Sequence, residues 1–170
     1  MNAFLNLFRG FRGHPSHPPL TDASIGAYTA GTLLVIGGWF GLFEDLPMAE
    51  TGFLAIAVGL LFALPTVITG FADYLLIPRG TGMRRTANFH WVVMASATGA
   101  FLVAEALLKK AFDGGEVTGA ALGATLAAFG LLTIGGWIGG TIVFEYGMRV
   151  TQEDEQTPAS KALMPKWPPA

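Results

Sequence analysis

The sequence contains no cysteine among its 170 residues. Disulfides, thiolate zinc sites, iron–sulfur clusters and cysteine nucleophiles are therefore excluded. Charge is also scarce, because Asp, Glu, Lys and Arg make up 13% of the chain, whereas a soluble domain carries about 25%. The net charge of −2 and the lack of a basic stripe argue against a nucleic-acid partner. Without a phosphate loop or a nucleophile elbow, the sequence favours a non-enzymatic protein over an enzyme.

Four long apolar stretches fill most of the chain, at residues 23–43, 52–77, 89–108 and 119–147. Each is close to the ~20 residues with which a helix crosses a ~30 Å hydrocarbon core. A lone helix also satisfies its own backbone hydrogen bonds in lipid. The sequence thus predicts an all-α integral membrane protein, a bundle of four transmembrane helices in the lipid bilayer.

The chain divides into three parts. Residues 1–20 are predicted to form an amphipathic N-terminal segment on the membrane surface, with a His-Pro motif at its end. Residues 21–150 are the four-helix transmembrane domain. Residues 151–170 begin acidic and become proline-rich, so we expect a flexible cytoplasmic tail.

Basic residues predict the orientation of the helices, because they collect in cytoplasmic loops. Eight of the ten Lys and Arg residues favour two cytoplasmic termini: Arg9, Arg12, Arg79, Arg84, Arg85, Arg149, Lys161 and Lys166. Lys109 and Lys110 oppose this orientation. We expect a multi-pass protein with both termini in the cytoplasm.

Glycines at a spacing of four residues predict where the helices pack, since small residues let helix backbones approach in lipid. The pairs are Gly37/Gly41 on helix one, and Gly135/Gly139 and Gly136/Gly140 on helix four. Packing inside one bundle is one interpretation, and a homodimer is the alternative.

A faint internal repeat relates the two halves of the chain. Helices two and four share a Gly-Leu-Leu sequence and an acidic residue followed by Tyr near their ends. His17 lies 56 residues before Asp73, and His90 lies 55 residues before Glu145. The identities are few, so two duplicated helical hairpins and a chance likeness both stay open.

The unusual polar residues gather at the predicted cytoplasmic face. The candidate site residues there are His14, His17, Asp73, His90 and Glu145. An ionisable residue inside a transmembrane helix costs about 2.5–3.5 kcal/mol when it is central, so it normally faces a partner. Elsewhere, Glu105 is expected to pair with Lys109, and Glu145 with Arg149, each four residues on.

Three interpretations of this cluster compete. In the first, Asp73 accepts hydrogen bonds from His90, Arg84 or the His-Pro loop and locks the end of the bundle. In the second, His14, His17, Asp73 and His90 bind a non-haem transition metal such as iron, manganese or zinc. In the third, His90 and an N-terminal histidine are the axial ligands of a haem b.

These residues resemble a bacterial family of predicted four-helix membrane proteins, a domain of unknown function (DUF 2231). The resemblance covers roughly residues 13–150. Its matching pieces are the segments 13–18, 20–22, 65–66, 69–74, 84–85, 139–140, 143–144 and 147–150, together with Gly26 and His90.

The resemblance implies a bacterial inner-membrane location and no established activity. Similar proteins joined to Rieske or cytochrome c domains imply a redox protein partner. The family often has a histidine where this chain has Thr141, and a basic residue where it has Glu145. Both departures weaken a four-histidine haem or metal site.

We therefore expect an accessory subunit or partner of a membrane redox system, with a His/Asp site at its cytoplasmic face. One alternative is a haem- or metal-binding membrane electron carrier. The other alternative is a small transporter or proton-coupled channel.

Overall fold

The computed structural model describes residues 7–11, 14–42, 45–114 and 116–150. Two short antiparallel strands, β1 (Gly10–Phe11) and β2 (His14–Pro15), precede the helices. Four long helices follow: α1 (His17–Trp39), α2 (Met48–Tyr74), α3 (Gly82–Phe112) and α4 (Gly119–Phe144). The chain is mostly helical, as predicted. Much of the predicted N-terminal segment, and the predicted tail from residue 151, lie outside the described residues.

Helix starts follow from local chemistry. Prolines 18 and 19 stand in the first turn of α1, where a missing backbone N–H costs nothing. The Thr81 hydroxyl accepts a hydrogen bond from the backbone N–H of Arg84 at the start of α3, and Thr118 caps α4 in the same way. Such caps satisfy donors that the helix leaves open. As a result α1 and α3 begin six and seven residues before the predicted apolar stretches.

Three of the helices, α2, α3 and α4, are long and apolar enough to cross a membrane. The first helix does not belong to this set among the described residues. Its first turns contain His17, two prolines and Asp22, which lower its average apolarity. Three of the four predicted spans therefore have the support of the structure.

The helices associate mainly as consecutive pairs. The most extensive contacts join α1 to α2 and α3 to α4, with smaller contacts between α2 and α3 and between α1 and α4. The α1–α2 crossing is tight at Gly31 and Gly52. A Cβ atom on Gly52 would lie 3.1 Å from the Val35 nitrogen and 3.2 Å from the Gly31 oxygen. Only a residue without a side chain allows this approach.

The predicted packing glycines have mixed outcomes. Gly37 packs against the Met48 side chain, and Gly135 packs against Met94. Gly41 lies beyond α1 with a φ of 62° and open space around it, so it serves the turn that follows the helix and not helix packing. Apart from the neighbouring backbone of α4 itself, no atom of the described residues lies within 4 Å of a Cβ placed on Gly136, and this glycine faces outward.

The core lies in the interior of the helix assembly, where side chains of α1 and α3 meet across it. The rings of Tyr28 and Phe101 stack there with their centroids 3.9 Å apart and their planes 5° apart. Both side chains are almost fully buried. The surrounding core residues include Val35, Ile56 and Leu108, each with no exposed surface.

The two helix pairs have matching patterns of buried residues. Four buried residues of α1 have buried counterparts in α3 at a spacing of 73 residues: Ser24/Ala97, Tyr28/Phe101, Gly31/Ala104 and Val35/Leu108. The buried residues of α4 follow buried residues of α2 at a spacing of 69 residues: Gly52/Ala121, Ile56/Thr125, Gly59/Ala128, Ala63/Leu132, Thr66/Gly135 and Asp73/Ile142.

Replacing Gly52 by valine should destabilise the protein, because the added side chain would push α1 away from α2. Overpacking of this kind costs about 1–3 kcal/mol. Thermal unfolding in detergent measures the effect. The control is Gly123→Val, where the new side chain meets open space. Equal melting temperatures for the two variants would contradict the crossing described here.

Candidate functional site at the basic end

Asp73 is a buried carboxylate in the last turn of α2, with 4% of its surface exposed. The Nε of Arg9 donates a hydrogen bond to its Oδ1 at 2.7 Å, and the Nε of Arg149 lies 3.8 Å from the same oxygen. A guanidinium nitrogen of Arg149 also donates to the Arg9 backbone carbonyl at 2.6 Å. Three segments far apart in sequence thus meet at one carboxylate.

The strand pair brings Arg9 to Asp73. The backbone N–H of Ser16 donates to the Arg9 carbonyl at 3.2 Å, which closes the chain on itself just before α1. Gly10 makes this possible with a φ of 74°. A Cβ atom there would lie 2.7 Å from the Ser16 hydroxyl oxygen, so a larger residue would force the strands apart.

A left-handed turn after α4 brings Arg149 to the same carboxylate. Gly147 has a φ of 66°, and Arg149 has a φ of 63°. Few residues other than glycine adopt positive φ, and such backbone strain persists where surrounding contacts enforce it. The ion pair with Asp73 and the bond to the Arg9 carbonyl are those contacts.

His17, the first residue of α1, is held against α2. Its Nδ1 lies 3.0 Å from the Thr66 carbonyl oxygen, and because a carbonyl only accepts, Nδ1 donates the hydrogen bond. The ring lies on Gly70, where a Cβ atom would be 2.7 Å from Cε1. On the other side, the Thr21 hydroxyl lies 3.4 Å from Nε2. The side chain therefore fixes the start of α1 to α2.

His90 makes the same kind of contact between α3 and α4. Its Nδ1 donates to the Gly135 carbonyl at 3.0 Å, and its ring lies beside Gly139, where a Cβ atom would be 3.1 Å from Cε1. In each helix pair, the accepting carbonyl stands four residues before the glycine that the ring covers. The two histidines thus play equivalent structural parts in the two pairs.

The other predicted site residues lie apart from these contacts. His14, in β2, and Glu145, at the end of α4, are exposed. Among the described residues no hydrogen bond joins either of them to Asp73, His17 or His90. The predicted Glu145–Arg149 pair is wrong, because Arg149 turns to Asp73 instead. In the described part of the chain, no three His, Cys, Asp or Glu side chains come close enough to hold a metal ion.

The first interpretation of the cluster expected Arg84 or His90 to donate to Asp73, but among the described residues their hydrogen bonds go to backbone carbonyls. The Arg84 guanidinium donates to the Tyr74 and Ile77 carbonyls at 2.8 and 3.0 Å. It also lies over the Tyr74 ring, 3.6 Å from its centroid, a favourable cation–π geometry. The pattern of a basic residue shortly after a helix end could have identified this role of Arg84, since cations satisfy the last carbonyls of a helix.

An open groove of about 310 Å³ runs along the outer side of α3 and α4. Arg85, Thr86, Phe89, Ile138 and Thr141 line it. Thr141 therefore faces this groove and not the carbonyl that His90 contacts.

Residues 13–152 match the model of a family described as a predicted membrane protein, DUF2231. The chain belongs to the DUF2231 family. Comparison with curated proteins and with solved structures gave no match. Membership confirms the resemblance seen in the sequence, and the membrane location agrees with the three apolar helices of this DUF2231 protein.

Breaking the Arg9–Asp73 pair should destabilise the protein strongly. Removing one partner of a buried ion pair costs about 3–5 kcal/mol, because the other charge is left buried and alone. We expect Asp73→Asn and Arg9→Gln each to lower the melting temperature in detergent. The double variant should then lose less than the sum of the two. Additive losses in this cycle would mean that the pair does not form, and the exposed Arg79→Gln serves as control.

Replacing His17 or His90, which are half-buried, by alanine should also destabilise the protein, while His14→Ala should not. Each of His17→Ala and His90→Ala leaves a backbone carbonyl without its donor and a gap above a glycine, at a cost of about 1–3 kcal/mol. Thermal unfolding of the three variants side by side measures this. A loss in His14→Ala as large as in the other two would refute the assignment.

Proposed function

We propose that this DUF2231 protein is a non-enzymatic accessory component of a bacterial inner-membrane redox system. The observation that carries the proposal is that the polar side chains of the predicted site make contacts within the protein itself. The Asp73 carboxylate binds two arginines, and the half-buried His17 and His90 donate to helix carbonyls. Side chains engaged in this way stabilise one arrangement of the chain ends, which is what a surface for a protein partner requires.

The partner surface in this proposal is the basic end of the molecule, formed by the starts of α1 and α3 and the ends of α2 and α4. Arg79 and Arg85 are exposed there, while Arg9, Arg84 and Arg149 are used in internal contacts. Exposed positive charge of this kind steers and orients a partner with an acidic surface. The redox character of that partner rests on the resemblance to proteins joined to Rieske or cytochrome c domains.

The proposal includes four membrane spans and two cytoplasmic termini. The first helix has 23 residues, so at 1.5 Å per residue it is about 34 Å long, enough to cross a ~30 Å hydrocarbon core. Its Tyr28 stacks on Phe101 of α3, a helix that is apolar enough to span. With α1 in the bilayer beside α2 and α4, both chain ends emerge at the basic end.

We also propose that the chain consists of two duplicated helical hairpins. Support comes from the equivalent histidine contacts and from the matched burial of α1 with α3 and of α2 with α4. By this matching the counterpart of Asp73 is Ile142, and not Glu145 as the sequence repeat indicated. The acidic site is then a feature of the first hairpin only.

A haem-binding electron carrier is the second candidate, and one observation favours it. A histidine that binds a metal usually donates its other ring nitrogen to a carbonyl or carboxylate. In His17 and His90 it is Nδ1 that donates, which leaves Nε2 of each ring as the atom able to bind iron. The predicted metal site that includes His14 and Asp73 stays a prediction, as does a homodimer through the outward-facing Gly136.

Affinity purification from native membranes with matched variants tests the proposal. The DUF2231 protein should co-purify with a redox protein in stoichiometric amount, and Arg79→Glu with Arg85→Glu should abolish this. Lys109→Glu with Lys110→Glu, at the other end of α3, should not. Stability should change little in both, because all four side chains are exposed and an exposed ion pair such as Lys109–Asp113 contributes little.

Metal analysis of the same preparations distinguishes a haem-binding electron carrier from an accessory component. Near-stoichiometric iron that disappears in His90→Ala would replace the accessory role by that of an electron carrier. Unchanged partners in the Arg79/Arg85 double variant would instead exclude the basic end as the partner surface.

A further inference from the structure

Two open grooves lie side by side on the outer surface of α3 and α4, near the basic end. The first, of about 310 Å³, is lined by Arg85, Thr86, Phe89, Ile138 and Thr141. The second, of about 250 Å³, is lined by Trp137, Gly140, Thr141, Phe144 and Glu145. Because Thr141 borders both, they form one continuous surface, which we call the double groove. None of its lining residues belongs to the contacts that Asp73, His17 and His90 make.

Arg85 and Glu145 place opposite charges on the two halves of the double groove. Both side chains are exposed, and among the described residues neither of them forms an ion pair. Their chain neighbours connect the two halves, because the Thr86 hydroxyl donates to the Tyr146 hydroxyl at 3.4 Å. A cation and an anion that stand on one surface without pairing are complementary to a ligand that itself carries both charges.

The apolar residues of the double groove lie deeper along the helices than its charges. Because α3 starts at the basic end, Phe89 stands about 6 Å further along the helix axis than Arg85. Because α4 ends there, Trp137 stands about 12 Å before Glu145. Phe89 is 71% exposed and Trp137 is 81% exposed, on helices that are apolar enough to cross a membrane. A charged end followed by an apolar stretch is the layout of a phospholipid.

We infer that the double groove binds a phospholipid with an ethanolamine headgroup. The lipid phosphate accepts hydrogen bonds from the Arg85 guanidinium, and the lipid ammonium donates to the Glu145 carboxylate. The acyl chains lie on Phe89 and Trp137. A glycerol headgroup has no cation for Glu145, and a choline headgroup has no N–H to donate. The inference does not depend on the proposed accessory role, because the lipid binds to the chain alone.

Native mass spectrometry of the full chain in detergent tests this site. Phosphatidylethanolamine, phosphatidylcholine and phosphatidylglycerol with identical acyl chains are added at equal concentrations, and the dissociation constant of the first bound lipid is measured. We expect the ethanolamine lipid to bind roughly threefold more tightly than either of the others, since exposed charge pairs are individually weak. Equal binding of the three lipids, or tighter binding of the glycerol lipid, would overturn the ethanolamine site.

Two charge-removing variants test the two headgroup contacts. Arg85→Gln should weaken the binding of all three lipids, because all three carry the phosphate. Glu145→Gln should instead remove the preference for the ethanolamine lipid. The matched controls are Arg79→Gln and Glu116→Gln, which are exposed but do not line the double groove, and they should bind lipid as the wild type does. Unchanged binding in both Arg85→Gln and Glu145→Gln would overturn the headgroup contacts.

Gly140→Leu tests the position of the lipid, because the new side chain would fill the second half of the double groove. A Cβ atom on Gly140 would lie 3.8 Å from the Phe144 ring, an ordinary contact, so α4 should tolerate the change. We expect Gly140→Leu to weaken the binding of phosphatidylethanolamine. Gly123→Leu, which also adds a side chain in open space but lies outside the double groove, should not. Equal binding by these two variants would overturn the position.

Discussion

Close approach of helices at glycine is the constraint on which this structure depends. Lipid tails are as apolar as leucine, so helices in a bilayer gain little by hiding apolar side chains from it. Their association then rests on how closely their surfaces fit. In this DUF2231 protein, Gly52 lets α1 lie against α2, and Gly70 and Gly139 each receive an imidazole ring. The positions of the histidines follow from the glycines that accommodate them.

The buried carboxylate depends on this packing in turn. Asp73 follows Gly70 by less than one turn of α2, so the fit of His17 on that glycine sets where the carboxylate lies relative to the start of α1. Arg9 and Arg149 then converge on it from both ends of the described chain. A buried ion pair adds little net stability compared with apolar packing, but it penalises every arrangement in which one charge is left alone. Here it selects a single arrangement of the chain ends.

Much of the fold could be predicted from sequence, because the bilayer demands long apolar helices. The apolar stretch at 52–77 corresponds to the helix Met48–Tyr74, and the stretch at 119–147 corresponds to the helix Gly119–Phe144. The site was predicted only in part. Asp73 was selected because ionisable residues are costly in apolar helices, and His17 and His90 because they map to the same predicted membrane face. An arginine rarely adopts a left-handed backbone conformation, so the turn at Arg149 could not be predicted from its residue type. The four-residue spacing therefore suggested Glu145 as its partner, whereas Arg149 lies beside Asp73. The same four-residue spacing predicted a Glu105–Lys109 pair, but Lys109 binds Asp113, which also lies four residues away from it.

The contact to test first is the stacking of Tyr28 of α1 on Phe101 of α3 across the interior of the helix assembly. The chain has no cysteine, so a variant with Tyr28→Cys and Phe101→Cys carries the only two thiols. A short thiol-bridging reagent applied in native membranes should join them within one chain. It should not join thiols placed at Leu33 and Leu102, which are 62% and 56% exposed. Bridging of the first pair alone is the predicted result. Failure to bridge it, or equal bridging of both pairs, would contradict the account.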